Sequence, residues 1–345
     1  MKNFAYYRPS SAQQAVGLLE NRWGSTELLA GGTDLHDLQK EYVAQPDKVI
    51  SLGGLGKDFR KISSLVPPGA FPPIVTIGAG ATLADIAGHR DIRSAYAAVA
   101  TAAGMVGGPQ IRNMGTLGGN LCQRNRCWYF RDEHVDCLLK TGRKCFATDG
   151  ENVYHAVFTK GHPCVIVHPS TVAPALIACG ATAAVLGPKG ERKVEVAKLF
   201  RAPKANGERE HTLEPNEMIL SVTISAGTEQ FVRFHSASYE VRHKQSYDWP
   251  LVQAAVGLPL KDGKITGARI VLGHVAPTPI VVEAAARSLE GKTVSEETAS
   301  AAGKACVADA KPLSQNGYKL KLIEVAVKRA VLLAGGVKPY WEATP

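Results

Sequence analysis

Residues 28–35 read LLAGGTDL: an apolar strand, begun at Thr26, runs out on two glycines, and Thr33 and Asp34 then open a helix. That spacing predicts a turn whose successive backbone N–H groups form an anion nest, a place that a bulky side chain would obstruct. A strand-to-helix turn that only needs positive φ would use the same glycines. A second turn of similar polar flavour lies at residues 115–121, GTLGGNL, with Thr116 and Asn120 as donors. Two such turns suit a dinucleotide, whose two phosphates carry two charges. A third loop, IGAGATL at 77–83, has Gly78 and Gly80 but Leu83 where the G-x-G-x-x-G fingerprint needs its last glycine, so a standard NAD-binding fold is rejected. No GxxxxGK[ST] occurs, which argues against a nucleoside triphosphatase.

Outward from these turns the chain divides in three. Residues 1–55 form a small α/β unit: a strand in NFAYY, a helix opened by a Ser10-to-Gln13 capping box, the strand TELLA, a helical TDLHDLQKEYV and the strand KVISL. Residues 56–225 form a larger α/β unit. It begins with a Pro/Gly-rich connection, SSLVPPGAFPP, and continues with the strand IVTIGAG, a helix capped by Thr82 and Asp85, and an Ala-rich helix at 95–108. A segment with clustered cysteines follows, then a helix start in STVAPALIACG, a hairpin through Gly-Pro-Lys-Gly and the strand MILSVTI. From residue 228 to 340 the pattern changes to strands QFVRFHSAS and ARIVLGHV, interspersed with PLVQAAVGL, and three amphipathic helices at the end, an α+β domain.

The 345 residues are 45% hydrophobic and 21% charged, as in a folded globular protein, and no apolar run approaches the ~20 residues of a membrane span. The first residues hold no continuous apolar stretch, so no secretory signal is expected and the expected location is cytoplasmic, or periplasmic if the chain is exported with a partner. The net charge of +9 comes from scattered basic residues whose densest clusters, QRNRC and YEVRHKQSY, are short. An acidic partner or an anionic cofactor accounts for it more economically than nucleic acid.

Five of the seven cysteines, Cys122, Cys127, Cys137, Cys145 and Cys164, are separated by 4, 9, 7 and 18 residues, while Cys179 and Cys306 stand alone as small buried hydrophobes. Without an export signal such clustering reads as metal binding. The tight C-x2-C knuckle usual for zinc is absent, and the loose spacing wraps more naturally around a [4Fe-4S] cluster; zinc and unligated thiols remain alternatives on spacing alone. Cys122 belongs to the glycine turn, so Cys127, Cys137, Cys145 and Cys164 are the chosen ligands. Arg124, Arg126, Arg131 and Lys144 would offset the charge of a thiolate-ligated cluster or simply be solvated.

LLAGGTDL, IGAGATL, IRNMGTLGGNL and HPSTVAPAL, in this order and with the change of domain near 225, resemble the FAD-binding subunits of the xanthine dehydrogenase family of molybdenum hydroxylases. The resemblance runs over nearly the whole chain. It implies an α+β chain: a two-subdomain FAD-binding fold of the vanillyl-alcohol-oxidase type, then a C-terminal domain of the CO dehydrogenase flavoprotein type. It implies noncovalent FAD held by Leu28, Leu29, Ala30, Gly31, Gly32, Thr33, Asp34 and Leu35, by Thr116, Gly119 and Asn120, and by His168, Ser170 and Lys244, with Tyr247 and Asp248 beside the last. Thr171 stands where many relatives have Asp. Residues 122–164 look like the inserted [4Fe-4S] loop of the flavin subunits of 4-hydroxybenzoyl-CoA reductase and a bacterial aldehyde oxidoreductase, which implies the same four cysteines. The implied role is electron transfer between a [2Fe-2S] subunit, itself fed by a large molybdenum-cofactor subunit, and an external carrier such as ferredoxin, with no catalytic residue in this chain. A flavoenzyme acting on its own small substrate and a zinc-stabilised binding module are the rival expectations.

Overall fold

The computed structural model describes residues 1–66, 72–225, 233–244 and 247–337. The expected domain limits at 228 and 340, and residues 230–232 of the strand QFVRFHSAS, lie outside these.

The first unit is a three-stranded parallel sheet in the order β1 (Ala5–Tyr7), β3 (Lys48–Ser51), β2 (Thr26–Leu29), joined by the helices α1 (Ala12–Leu18) and α2 (Leu35–Lys40). Parallel neighbours require a crossover, and the two helices supply it. The cap sits one residue later than the sequence spacing indicates and is no full capping box: Ser11 Oγ accepts the Gln14 N–H, while Gln14 Oε1 accepts from Ser10 N–H and Oγ–H, each at 3.0 Å, rather than from the Ser11 N–H. Consecutive serines and consecutive glutamines preserve the S-x-x-Q spacing under that shift.

The second unit carries a five-stranded antiparallel sheet, β4 (Ile62–Leu65), β5 (Ile74–Gly78), β8 (Met218–Ile224), β6 (Thr182–Gly187), β7 (Gly190–Glu195). Part of the expected Pro/Gly-rich connection is thus strand, since Ser63 and Ser64 pair with Thr76 and Val75. Helices α3 (Leu83–Gly88), α4 (Arg90–Ala95), α5 (Ala97–Met105) and α9 (Val172–Ala178) bury the apolar face of this sheet. The short α6 (Pro109–Met114), α7 (Leu117–Cys122) and α8 (Trp128–Arg131) lead from that core into the cysteine segment.

The third unit is an antiparallel sheet, β9 (Arg233–Val241), β10 (Val252–Lys261), β11 (Lys264–Ile265), β12 (Arg269–Gly273) and β13 (Ile280–Val281), with β10 paired to β9, β11 and β12. PLVQAAVGL therefore supplies the central strand. Helix α10 (Glu283–Arg287) follows, and α11 (Glu296–Ala305) and α12 (Lys319–Ala334) cover one face of the sheet. In α12 the buried residues Ile323, Ala326, Val327, Ala330, Val331 and Ala334 recur every three and four positions, the stripe of a helix lying on a core. No helix among the described residues is long and apolar enough to cross a membrane.

Candidate cofactor sites

Where β2 ends, the chain turns through Ala30 to Asp34, and none of these five backbone N–H groups donates to another described atom. Gly32 has φ +73°, a left-handed conformation that favours glycine. Gly31 is needed for another reason: a Cβ there would lie 1.8 Å from the Met114 carbonyl oxygen. The two glycine turns read from the sequence are thus packed back to back. The second is pinned by Leu83 N–H to Gly115 O at 2.9 Å and Gly118 N–H to Ala79 O at 2.8 Å. The IGAG loop therefore serves as its support, with Gly78 and Gly80 themselves pressed against Phe59.

Both turns line one cavity of about 650 Å³, within the range of ~300–1,000 Å³ that cofactor pockets occupy. Leu28, Ala30, Gly31, Thr33, Asp34, Leu35, Thr116, Gly119 and Asn120 form part of its wall, and Thr171, Tyr247 and Asp248 another part. Asn120 Oδ1 accepts the Ser170 hydroxyl at 2.6 Å, which leaves Nδ2 with no partner among the described residues. The Thr116 hydroxyl caps α7 by accepting the Gly119 N–H at 3.2 Å. Main-chain donors unpaired among the described residues and two turns of small residues on the wall of one cavity fit an FAD.

Other expected contacts lie off the wall. Leu29, Gly32, Ser170, His168 and Lys244 do not line the cavity. His168 is buried against Phe200, ring centroids 4.4 Å apart, and burial pushes its imidazole down to about 4. Ser170 acts one step back, holding Asn120. Lys244 is exposed, and the neighbouring residues 245 and 246 lie outside the described residues. Thr171 places its hydroxyl 3.3 Å from His274 Nε2. Sequence reasoning missed Trp23, Arg209, His211 and Ile111 on the cavity wall. Ile111 opens the IRNMGTLGGNL stretch, whereas Trp23, Arg209 and His211 come from segments without a motif; their one signal is composition, an Arg and a Trp with no apolar periodicity to absorb them.

Asp34, on the cavity wall, also reaches the cysteine segment. Its carboxylate accepts the Arg124 N–H at 2.9 Å and pairs with Arg131 at 2.6 Å and Arg126 at 3.1 Å. A single carboxylate from the glycine turn thereby anchors the start of the cysteine segment. Glu210 does the same from behind: one oxygen accepts Asn125 N–H and Nδ2–H at 3.1 and 2.7 Å, and the other lies 2.8 Å from Arg124 Nε. Burial pushes the Glu210 carboxyl up, and Arg124 and Asn125 outweigh it, holding the group below its ordinary value.

Cys127, Cys137, Cys145 and Cys164 line one small pocket closed by Tyr129, Phe130, Leu138, Leu139, Phe146 and Ile166. The loop packs on α2 through Leu38, so the helix that begins at the glycine turn also floors the thiol pocket. Main-chain N–H groups face the sulfurs: those of Phe130 and Tyr129 face Cys127, Leu139 and Lys140 face Cys137, Val165 and Ala147 face Cys145, and Ile166 faces Cys164. Donors of this kind favour thiolates. The Cys164 thiol hydrogen-bonds Cys145, drawing Cys145 well below the ordinary thiol value and pushing Cys164 up; burial pushes Cys127 up to about 12. Among the described residues no three His, Cys, Asp or Glu side chains converge as closely as a single metal ion needs. Cys122 points elsewhere: it lines the large cavity, and burial pushes it up to about 12.

Residues 2–225 match the family model described as the FAD binding domain in molybdopterin dehydrogenase, and residues 237–334 match the CO dehydrogenase flavoprotein C-terminal domain. The chain belongs to the FAD-binding subunits of xanthine dehydrogenase-family molybdenum hydroxylases. Members of that family are subunits of oxidoreductases. The chain is 32% identical to the aldehyde oxidoreductase FAD-binding subunit PaoB of Escherichia coli K12 over 326 residues, 93% of this chain and 95% of that protein. It is 26% identical to the carbon monoxide dehydrogenase medium chain of Hydrogenophaga pseudoflava, over 95% of this chain and 96% of that one. A solved structure of that organism's carbon monoxide dehydrogenase superposes with a TM-score of 0.74 at 25% identity, covering 97% and 98% of the two chains. The two-part architecture of FAD-binding and C-terminal flavoprotein domains is shared with it.

Proposed function

We propose that this chain is the electron-transfer subunit of a three-subunit molybdenum hydroxylase and carries both FAD and a [4Fe-4S] cluster. The observation that carries the reading is the convergence of Cys127, Cys137, Cys145 and Cys164 on one apolar pocket, joined to the glycine-turn cavity by residues 123–131. Family membership supports the flavin half. The relatives' printed names, FAD-binding subunit and medium chain, support an assembly with other subunits.

FAD would lie with its diphosphate on the N–H groups of residues 30–34 and within reach of Asn120 Nδ2. Ser170 orients Asn120, and Asp34 keeps the cysteine loop against the turn. When bound, FAD supplies a couple that accepts electrons in pairs and releases them singly, and the cluster a one-electron couple beside it. The pocket walls bury Cys137 and Cys164 and leave Cys127 and Cys145 half-buried. Substrate chemistry would belong to a large molybdenum-cofactor partner and entry of electrons to a small [2Fe-2S] partner, with a ferredoxin-like carrier outside.

Co-purification from the native source with metal and flavin analysis tests this. One FAD, molybdenum, labile sulfide and four irons beyond those of the [2Fe-2S] partner are expected. Stoichiometric zinc in a colourless chain would overturn both cofactors, and yellow protein without the extra iron would overturn the cluster alone.

A further inference from the structure

His155 is absorbed neither by the cavity nor by the ligand set, yet its Nε2 lies 3.2 Å from Cys127 Sγ. We propose that His155 is a positioning residue that donates an Nε2–H hydrogen bond to the Cys127 sulfur when that thiolate ligates the cluster, and that this bond raises the cluster's reduction potential. The inference rests on the reading above that these thiols hold an iron–sulfur cluster.

The direction of the bond follows from the surroundings of the ring. His155 is buried, and its Nδ1 has no hydrogen-bond partner among the described residues. A ligating thiolate has no proton to give, so the contact is attractive only if Nε2 carries the hydrogen. That tautomer leaves Nδ1 a bare acceptor. The other would bury an orphan N–H and set a ring lone pair against sulfur lone pairs. Buried orphan donors are rarer and costlier than under-satisfied acceptors, so both terms favour Nε2–H.

The ring is held still, as a hydrogen bond of fixed strength requires. Trp128 meets it edge to face at 5.3 Å, and Tyr129 lies at 6.3 Å. Its backbone is clamped by the third domain: Asn316 Nδ2 donates to His155 O at 3.1 Å and to Ala156 O at 3.1 Å, and His155 N–H donates to Asn152 O at 3.0 Å. Asn152 is held in turn by Gln315, each donating a backbone N–H to the other's side-chain oxygen, at 2.9 and 3.0 Å. Hydrogen bonds to cluster sulfurs stabilise the reduced, more negative state and so raise the potential. Cys127 receives the imidazole in addition to its two main-chain donors, whereas among the described residues no side chain but another cysteine or a threonine hydrogen-bonds the remaining three sulfurs.

The test is an EPR-monitored redox titration of the native complex with wild type, His155→Leu and His155→Gln, beside iron and labile-sulfide assays. His155→Leu is expected to keep its iron and lower the midpoint by about tenfold in the reduction equilibrium, ~59 mV for a one-electron couple. His155→Gln, which can still donate, should recover most of the shift. Should His155→Leu shed its cluster, pulsed EPR of the wild-type complex grown on 15N-histidine decides without any substitution, since a hydrogen-bonded imidazole gives a resolved 15N coupling. Unchanged midpoint with iron retained, or no 15N coupling, overturns the role of His155. Absence of the extra iron from the wild type overturns the underlying cluster reading as well, and the iron assay separates the two failures.

Discussion

The large cavity is built round two glycine turns, one of them with main-chain N–H groups that have no partner among the described residues, whereas the small pocket is defined by side chains, four sulfurs set among aromatic and aliphatic walls. A nest of amides is preformed once the strand and helix around it fold, and it asks nothing of the residue types beyond their smallness. A thiol cage depends on each sulfur individually and gains its full stability only with metal, because four buried thiolates repel one another. The two sites should accordingly respond to mutation in different ways: the first by degrees, the second all or none.

Cys137→Ser is the strongest test of that contrast. Serine keeps the volume but replaces a soft thiolate with a hard oxygen, so the four irons should be lost while FAD stays at wild-type stoichiometry. Iron and flavin analysis of the same preparation reads both at once. Loss of flavin together with iron would mean that the pocket and the cavity fold as one unit.

Glu210 is the place where the two sites share a support, and its removal should be felt by both. Glu210→Ala leaves the Arg124 guanidinium buried beside unpaired Asn125 donors, a defect that costs about 3–5 kcal/mol in comparable buried pairs. Denaturant unfolding measures it. The acid dependence has a fixed sign: the folded carboxyl lies below its ordinary value of 4.5, so its contribution is present above pH 4.5 and is lost as pH falls through the folded value. The stability gap between wild type and Glu210→Gln should therefore narrow in acid and be constant from pH 6 to 8.

Much of the large site was legible beforehand because glycine leaves a mark that other residues cannot counterfeit. A positive φ at Gly32 is a local demand, visible in one turn. The demand at Gly31 is not local, since it arises from Met114 in a turn far along the chain, and a single motif cannot show what it packs against. The same limit hid the walls. Trp23, Arg209 and His211 meet across the cavity, with Arg209 over the Trp23 ring at 5.1 Å, but no spacing links them in sequence. The glycine motif says nothing of the arginines of the cysteine segment, far along the chain, with which Asp34 pairs. Strand β10 lacks alternation for a physical reason: its residues Val252 to Leu258 are buried on both faces, so the period of two that marks a half-exposed strand is absent.

Gly31→Ala sharpens the comparison from the flavin side. The added methyl cannot coexist with the Met114 carbonyl at 1.8 Å, so the two turns must separate. Overpacking of this kind costs about 1–3 kcal/mol. FAD dissociation, followed by flavin fluorescence, should be faster by about 10- to 100-fold at that cost, while iron content is unchanged. Iron loss here would make Gly31 a determinant of the whole interface between turn and loop.

The smallest effect belongs to Ser11, which lies in neither site and so measures the background against which the others are judged. Its hydroxyl accepts the Gln14 N–H at 3.2 Å at the start of α1, whose buried Ala15 and Val16 pack in the small core beneath β3 with Leu186 and Met218. Ser11→Ala removes one cap, a loss of about 1 kcal/mol, and Gln14 can still accept from Ser10 because those bonds do not involve the missing oxygen. Thermal unfolding should shift by a few degrees with FAD and iron both retained. A larger shift would mean that the two bonds from Ser10 to Gln14 collapse with the cap, and the first unit would then be held by its helix start more than by its three short strands.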